Sequence, residues 1–359
     1  MNTQLHYAGI QKSPVLTWNW LKLNRAPLAL DAEAVAAPTM QIDGTDGAEL
    51  SFDADTFAQY EAEFFQAAQT DTSADAQDLL SHFRAETLVI TAKNRLAQPV
   101  AIHHRAADGT SSAARHIVRA EPGAEITVLI DYTSPAEAGG FQAAKTLLHA
   151  MPRSKIHLVK VQLLGAECTQ IDGTVALAED GAEIRVTQLA LGGVRTFIDT
   201  SCTLAGYQSQ FKSNTAYYCR NAQQLDMNYA VLHTGAASGT DMEVQGVLAD
   251  TATKVYRGTI DFRRGCAGAT GNEQEETLLL SPAAVNKSIP VILCDEEDVS
   301  GTHGATIGRL GAEELFYMQS RGIPKQVAEQ LVARGKVNAV CHHIPDAGLV
   351  ERILAFIEH

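Results

Sequence analysis

The sequence has little positive charge for its length. Its 359 residues include 28 lysines and arginines against 42 aspartates and glutamates, which gives a formal net charge of −14. Binding to nucleic acid phosphates requires clustered Lys and Arg, so we do not expect a nucleic-acid-binding protein. The length leaves room for one large core or for about two or three domains of ordinary size.

Aromatic residues are also scarce, at 6% of the chain, whereas Gly, Ala, Thr and Val are common. A core built from small and β-branched side chains suits stacked strands better than a leucine-rich helical bundle. Apolar residues make up 45% and charged residues 19%, a balance typical of a globular protein rather than a disordered one.

Long apolar runs are absent, because no stretch reaches the roughly 18 consecutive apolar residues that a membrane-spanning helix needs. The opening residues, MNTQLHYAGIQKSPVL, lack the basic and apolar regions of a signal peptide, so a cytoplasmic location is expected. The six scattered cysteines include no CxxC pair, which argues against a zinc knuckle. Most of them are expected to be buried free thiols.

Motifs for nucleotide binding and hydrolysis are missing as well. The stretch GCAGATGNEQE, from Gly265 to Glu275, has closely spaced glycines but no following Lys-Ser/Thr, so turn glycines explain it better than a P-loop. No GxSxG elbow of a serine hydrolase is present.

Acidic residues are clustered in CDEEDV, from Cys294 to Val299. They resemble the acids in the groove of a β-helix enzyme acting on acidic polysaccharides, although a solvated acidic turn is the favoured interpretation.

What is present, from Glu86 onward, is a succession of short β-branched runs such as TLVITAKN, PVAIHHRA and SKIHLVKVQLLG. About a dozen such runs follow one another, separated by polar turns, and the main segment with a helical pattern is GFQAAKTLLHAM, from Gly140 to Met151. A sandwich or a β-helix would produce this pattern. The monotonous spacing and the small inward residues favour the β-helix, although no strict short repeat appears.

Helical patterns flank the strand region. ADTFAQYEAEFFQAAQ places aromatic residues at helical spacing near the start, and three amphipathic segments follow Gly304. The sequence therefore predicts a mixed, partly helical segment over 1–85, a β-helix over 86–305 and a helical segment over 306–359. Gly322 is expected to end the first C-terminal helix. Phe316 and Tyr317 point about 100° apart on that helix, so one could face the core and the other a partner.

His303 is the candidate functional histidine. Gly301 and Gly304 leave its imidazole little screened, and it lies where the strand region gives way to helix. Imidazole can bind iron or carry a proton near neutral pH, so a functional and a structural role are equally compatible with the spacing. The neighbouring pair in CHHIPD, from Cys341 to Asp346, is expected in a surface loop, and His103 and His104 are expected on opposite faces of a strand.

Two stretches carry a family resemblance. SIPVILCDEEDVSGTHGATIGRLGAEELFYMQSRGI, from Ser288 to Ile323, and YRGTIDFRRGCAGATGNEQEETLLLSPAAVNKS, from Tyr256 to Ser288, resemble the SufB/SufD family of iron–sulfur cluster assembly scaffolds. HTG at His233–Gly235 and the tryptophan-containing TWNWLKLN also fit, and HGAT followed by FYMQSRGI is the most specific combination. Within this family, HGAT is similar to the SufD branch.

The resemblance implies a right-handed parallel β-helix between helical segments. It also implies a non-catalytic scaffold subunit that pairs with a SufB-like scaffold in a SufBCD-type complex and docks a SufC-like ATPase, which hydrolyses the ATP. Phe316, Tyr317, Arg321 and Gly322 would contribute to docking. A single SufB/SufD-like scaffold that pairs with its own copy in a minimal system is the alternative, and a purely structural adaptor or a carbohydrate-active β-helix enzyme is less favoured.

By the same resemblance, His303 would lie at the interface between scaffolds and hold a transient iron–sulfur cluster or iron, without any nucleotide bound by this chain. Many SufD proteins have Cys-Ser-His at this point, whereas this chain has Gly301 and Thr302 before His303. The absent thiol leaves His303 alone in the motif. Cys266 and Cys294 are the nearest thiols in sequence, and neither matches a motif cysteine.

Overall fold

Parallel strands dominate the computed structural model, which describes residues 3–12, 23–32, 39–52, 60 and 85–358. Two sheets of nine strands face each other, and the chain alternates between them from strand to strand. Each strand thus pairs with the strand two further along, which makes a parallel β-helix of about eight coils. The predicted β-helix is confirmed.

Four strands precede the parallel stack: β1 (Thr3–Lys12), β2 (Arg25–Ala32), β3 (Thr39–Asp43) and β4 (Ala48–Phe52). β1 and β2 form a separate antiparallel pair, while β3 and β4 each begin one of the large sheets by antiparallel pairing. Most of the predicted N-terminal helical stretch, and most of TWNWLKLN, lie outside the described residues.

From β5 onward, the odd-numbered strands form one sheet, which begins with β4 and which we call the odd sheet. Its strands after β4 are β5 (Glu86–Ala92), β7 (Thr110–Ala120), β9 (Gly139–Ala150), β11 (Glu167–Ala178), β13 (Arg195–Leu204), β15 (Gln224–His233), β17 (Thr253–Phe262) and β19 (Val285–Cys294). Its edge strands are β4 and β19.

The even-numbered strands form the second sheet, the even sheet, whose edge strands are β3 and β20. Its strands after β3 are β6 (Val100–Arg105), β8 (Glu125–Thr133), β10 (Lys155–Leu163), β12 (Glu183–Ala190), β14 (Gln210–Cys219), β16 (Gly239–Leu248), β18 (Ala269–Leu279) and β20 (Val299–Arg309). Three helices follow: α1 (Ala312–Ser320), α2 (Lys325–Cys341) and α3 (Ala347–Glu358).

The segment predicted as helix from Gly140 to Met151 is strand β9 instead, so that prediction is wrong. β9 is covered on both faces: Leu148 packs in the interior between the sheets, whereas Phe141 and Leu147 pack in apolar clusters on the outside. A strand buried on both sides shows a continuous apolar run rather than alternation, and such a run is easily confused with a helical pattern.

The C-terminal helices lie against the outer face of the even sheet. Val337 and Val340 of α2, with Ile353 of α3, join an apolar cluster that includes Val159 and Leu189 of that face. The chain thus turns back at the end of the stack and covers one side of it. No helix in the described part of the chain is long and apolar enough to cross a membrane.

Candidate functional site

His303 lies on β20, the edge strand that closes the even sheet. Its side of the strand follows from Gly301, two residues earlier, because residues two apart share a face. A Cβ built on Gly301 would meet Phe262 Cε2 at 2.9 Å and Ile292 Cδ1 at 3.2 Å, both on the opposite sheet. His303 therefore belongs to the interior face, yet it is exposed because no further coil covers it.

The open end of the interior around His303 is called the mouth here. Across the mouth stands Pro290, since Pro290 and His303 pair in register with Gly258 and Glu273, which face each other one coil below. Proline lacks the N–H that sheet pairing needs, so its place on the edge strand β19 fits. Both edge strands leave backbone groups free to pair with another chain.

Other side chains fill the space that a cysteine side chain at position 301 would occupy. The ring of Phe262 and the side chain of Ile292 approach Gly301 too closely for a Cβ to be added without a shift.

Glu273 on β18 is the register partner of His303 and lies directly beneath it in the interior. It is 0% exposed, the Tyr256 phenol is its polar neighbour, and the described residues give its carboxyl group no basic partner. Burial raises the pKa of Glu273 to about 7, and the nearby Tyr256 phenol lowers it in part. Sequence patterns do not indicate this residue, because a glutamate in a strand ordinarily faces water.

Other buried charges in the interior are paired. Lys160 donates from Nζ to Asp172 Oδ1 over 2.6 Å and to Thr174 Oγ1 over 2.9 Å, all in the middle of the stack. Lys254 pairs with Glu275 one coil below the mouth. Burial lowers the pKa of both lysines and raises that of Asp172. A buried ion is costly unless it is paired, so these contacts are needed by the fold.

The six cysteines are free, and all except Cys294 are buried. Cys294 ends β19, and its Sγ donates to the Glu296 carbonyl over 3.0 Å. Cys294 precedes the turn into β20, whereas His303 lies four residues past the start of that strand. No group of three or more His, Cys, Asp or Glu side chains suited to a metal occurs within the described ranges.

The other histidines considered from sequence have structural places. His103 faces outward, where Nδ1 lies 2.5 Å from Asp131 Oδ2, while His104 faces inward and contacts His116. The expected opposite orientation of the two neighbours is confirmed. His342 and His343 lie between α2 and α3, as expected of a connecting loop.

Helix α1 presents an aromatic surface next to the mouth. Phe316 is 72% exposed and Tyr317 is 60% exposed, so neither of the two faces the core. Leu315 and Met318 take the half-buried side of the helix instead. The Arg321 guanidinium lies over the Tyr317 ring, 5.3 Å from its centroid.

The end of α1 is formed by Arg321 at the C-cap, followed by Gly322 in the left-handed region with φ of 81°. Glycine adopts that conformation without the steric cost that a Cβ brings. The prediction that the helix ends at Gly322 is confirmed.

Comparison with known proteins identifies the family. A family model described as "SUF system FeS cluster assembly, SufBD core domain" matches residues 102–336. The chain belongs to the SufBD core family. The match runs from the start of the parallel stack through the mouth and into α2, so it includes His303 and α1.

Individual relatives agree with this assignment. The chain is similar to the iron-sulfur cluster assembly protein SufD of Bacillus subtilis, with 30% identity over 190 residues that cover 53% of this chain and 40% of the relative. It is similar to SufD of Escherichia coli, with 26% identity over 246 residues, 68% of this chain and 57% of the relative. An iron-sulfur cluster assembly SufBD family protein of Synechocystis is 25% identical over 240 residues, 64% and 50% of the two chains. The chain spans about half the length of these curated relatives.

Proposed function

We propose that this SufBD core protein is a SufD-like scaffold in iron–sulfur cluster assembly, working in a SufBCD-type complex without catalytic turnover of its own. A SufB-like scaffold meets it at the mouth, and a SufC-like ATPase docks on its C-terminal helices. The cluster or its iron is cargo held in passing between subunits. The observation that carries the proposal is the exposed side chain of His303 on the edge strand β20, within the HGAT motif on which the family resemblance rests.

His303 is proposed as one ligand of a site that the partner scaffold completes. The described residues provide no group of three or more metal-binding side chains, so a complete site that includes His303 needs ligands from a partner. A single imidazole binds iron weakly and exchangeably, which suits a scaffold that must release its cargo. The edge strands β19 and β20 offer the backbone pairing that could join two scaffolds around this histidine.

The surface proposed for ATPase docking comprises Phe316, Tyr317, Arg321 and Gly322. Exposed aromatic residues beside arginine are typical of the centre of protein interfaces. The surface lies in the helical segment from residue 306 onward, which we propose as a docking segment distinct from the β-helix core of 86–305 and the segment before it. ATP hydrolysis would then belong to the docked partner.

The test of the His303 role is anaerobic cluster assembly on the purified complex with its ATPase and partner scaffold. His303→Ala is expected to lower the iron and sulfide bound per complex several-fold while the complex still assembles. His342→Ala is the matched control, since His342 is an exposed histidine between two helices, away from the mouth. Equal iron and sulfide in all three complexes would refute the proposed ligand.

Pairing with a second copy of this chain is the remaining alternative. The mass of the complex distinguishes the two arrangements, because native mass spectrometry separates a mixed pair of scaffolds from a pair of identical chains. If two copies pair, His303 of each would face the other across the joined mouths, and the same His303→Ala substitution would remove both imidazoles at once.

A further inference from the structure

Glu273 is a fully buried carboxyl group to which the described part of the chain supplies no basic partner. Its side chain crosses the interior and ends against Gly258 of the odd sheet, where an added Cβ would overlap the carboxylate. The Tyr256 hydroxyl is its polar neighbour, and a phenol is a neutral partner. Buried carboxylates are ordinarily paired with a cation, so a buried carboxyl group with no basic partner calls for an explanation.

The other deeply buried carboxylates of the described chain mark the contrast. Asp172 has Lys160, Glu275 has Lys254, and Asp131 has both His103 and Arg352. Glu275 is two residues from Glu273 on the same face of the same strand, so the two share an environment in all but their partners. What distinguishes Glu273 is its position under the last coil, directly below His303.

The strand register places the two residues next to each other on adjacent coils. Parallel neighbours stand about 4.8 Å apart along the stack, and Glu273 and His303 are direct register partners on the same, inward side. The neighbours of His303 on the same face of β20 are Gly301 and Ala305, both small. Along its own strand, therefore, no large side chain holds the imidazole ring in one orientation.

We propose that Glu273 is the positioning residue of the His303 site: its carboxyl group accepts the N–H of one imidazole nitrogen and so leaves the other nitrogen directed out of the mouth as a ligand for iron. The inference rests on the proposed function of His303. Histidines that bind metal usually donate their second N–H to a carboxylate or carbonyl, which fixes the tautomer and the ring orientation. Glu273 supplies that acceptor from a buried position that the partner subunit does not reach.

The experiment that tests this role needs no cluster assembly. The full chain is labelled with nitrogen-15 histidine, and the tautomer of His303 is observed by NMR, with His303→Ala used to assign the signal. A single tautomer is expected for His303, in contrast with the exposed His342, which serves as the internal reference. Glu273→Met, which keeps the volume and removes the acceptor, should make the two histidines alike, and Glu273→Gln should give an intermediate result because its amide oxygen still accepts.

The matched control is Glu276→Gln, since Glu276 follows on the same strand but faces outward and pairs with Lys336. That variant should leave the His303 tautomer unchanged. A wild-type His303 with the same tautomer mixture as His342, or a Glu273→Met variant with unchanged tautomers, would overturn the inference. Should Glu273→Met fail to fold, Glu273→Gln decides instead, and a His303 tautomer population identical to that of the wild type would overturn the inference.

Iron binding then separates this inference from the function on which it rests. Anaerobic equilibrium dialysis of Fe²⁺ with the full chain should show about tenfold weaker binding at the His303 site in Glu273→Met, the scale typical of losing such a positioning carboxylate. If His303→Ala removes Fe²⁺ but Glu273→Met does not change the affinity, the positioning role is refuted and the ligand role stands. If neither substitution changes binding, the ligand role itself is refuted.

Discussion

Arg352 in the last helix donates from Nη2 to Oδ2 of Asp131 over 2.9 Å, which joins positions 221 residues apart. The Asp131 side chain is 2% exposed, and His103 Nδ1 approaches the same oxygen at 2.5 Å. This contact fastens α3 to β8, near the start of the stack. It holds the C-terminal helices along the outer face of the even sheet.

Replacing Arg352 with Met should destabilise the protein by about 1–2 kcal/mol, because a nearly buried carboxylate loses a charged hydrogen bond. Urea unfolding monitored by circular dichroism measures the loss. Arg334→Met is the control, since Arg334 pairs with Glu358 where both side chains are about half exposed, and such pairs contribute less than about 1 kcal/mol. Equal losses in the two variants would show that the Asp131 contact has no special weight.

Glu273 should give the stability of the protein a distinctive pH dependence. Burial raises its pKa from 4.5 to about 7, so the folded state holds the proton more tightly than the unfolded state. The resulting stabilisation is complete below about pH 4.5 and is lost as the pH rises through about 7, by up to about 3 kcal/mol. The groups near Glu273 are Tyr256, the Lys254–Glu275 pair and His303.

Glu273→Gln removes this titration while it keeps the shape of the side chain. Its stability relative to wild type should therefore increase with pH between about pH 5 and 8, measured by urea unfolding across that range. Parallel stability curves for the two proteins would mean that Glu273 does not titrate differently in the folded state.

Gly301→Ala tests whether the interior beside position 301 has room for a side chain. The new Cβ would meet Phe262 Cε2 at 2.9 Å, so we expect a loss of about 1 kcal/mol. Gly308→Ala on the same strand is the control, because its Cβ would meet Leu278 Cδ1 at an ordinary 3.8 Å. That variant should be neutral or slightly more stable, since alanine has less conformational freedom to lose on folding. Thermal unfolding of both variants decides the point, and a neutral Gly301→Ala would mean that Phe262 yields freely.

The exposed aromatic residues of α1 should matter for binding and not for folding. Phe316→Ala and Tyr317→Ala are each expected to change the free energy of unfolding by less than about 0.5 kcal/mol, because both side chains lie in solvent. Each should weaken binding of the ATPase at least about tenfold in isothermal titration calorimetry. Tyr207→Ala is the matched control, as Tyr207 is 56% exposed in a turn of the stack. A docking surface elsewhere would leave all three variants with wild-type affinity.

Much of the fold could be predicted from sequence because a stacked core imposes a regular pattern. Short β-branched runs with polar turns between them indicate strands wherever one face is polar, and the choice of β-helix over sandwich rested on their number and spacing. The pattern failed at Gly140–Met151, where both faces of β9 are covered and the alternation disappears. Periodicity describes one strand at a time and does not show which outer faces will be covered.

Of the two residues proposed for the candidate site, only His303 could be predicted from the sequence. His303 could be singled out by its small neighbours and its motif, but Glu273 lies 30 positions earlier, and only the register of β18 with β20 brings the two together. The exposure of both Phe316 and Tyr317 also depended on which side of α1 Leu315 and Met318 occupy. Pairing across coils and the orientation of a helix are tertiary facts that single-sequence patterns do not contain.

The stack of coils has a consequence for how the molecule opens. Each coil is held by the coil on either side, as in a one-dimensional chain of coupled units, whereas β19 and β20 have a neighbour on one side only. Amide hydrogen exchange should therefore be slowest in the middle coils and fastest at the mouth, in a gradient along the axis. A second protein that pairs with β19 and β20 would convert the most weakly held coil into an interior one.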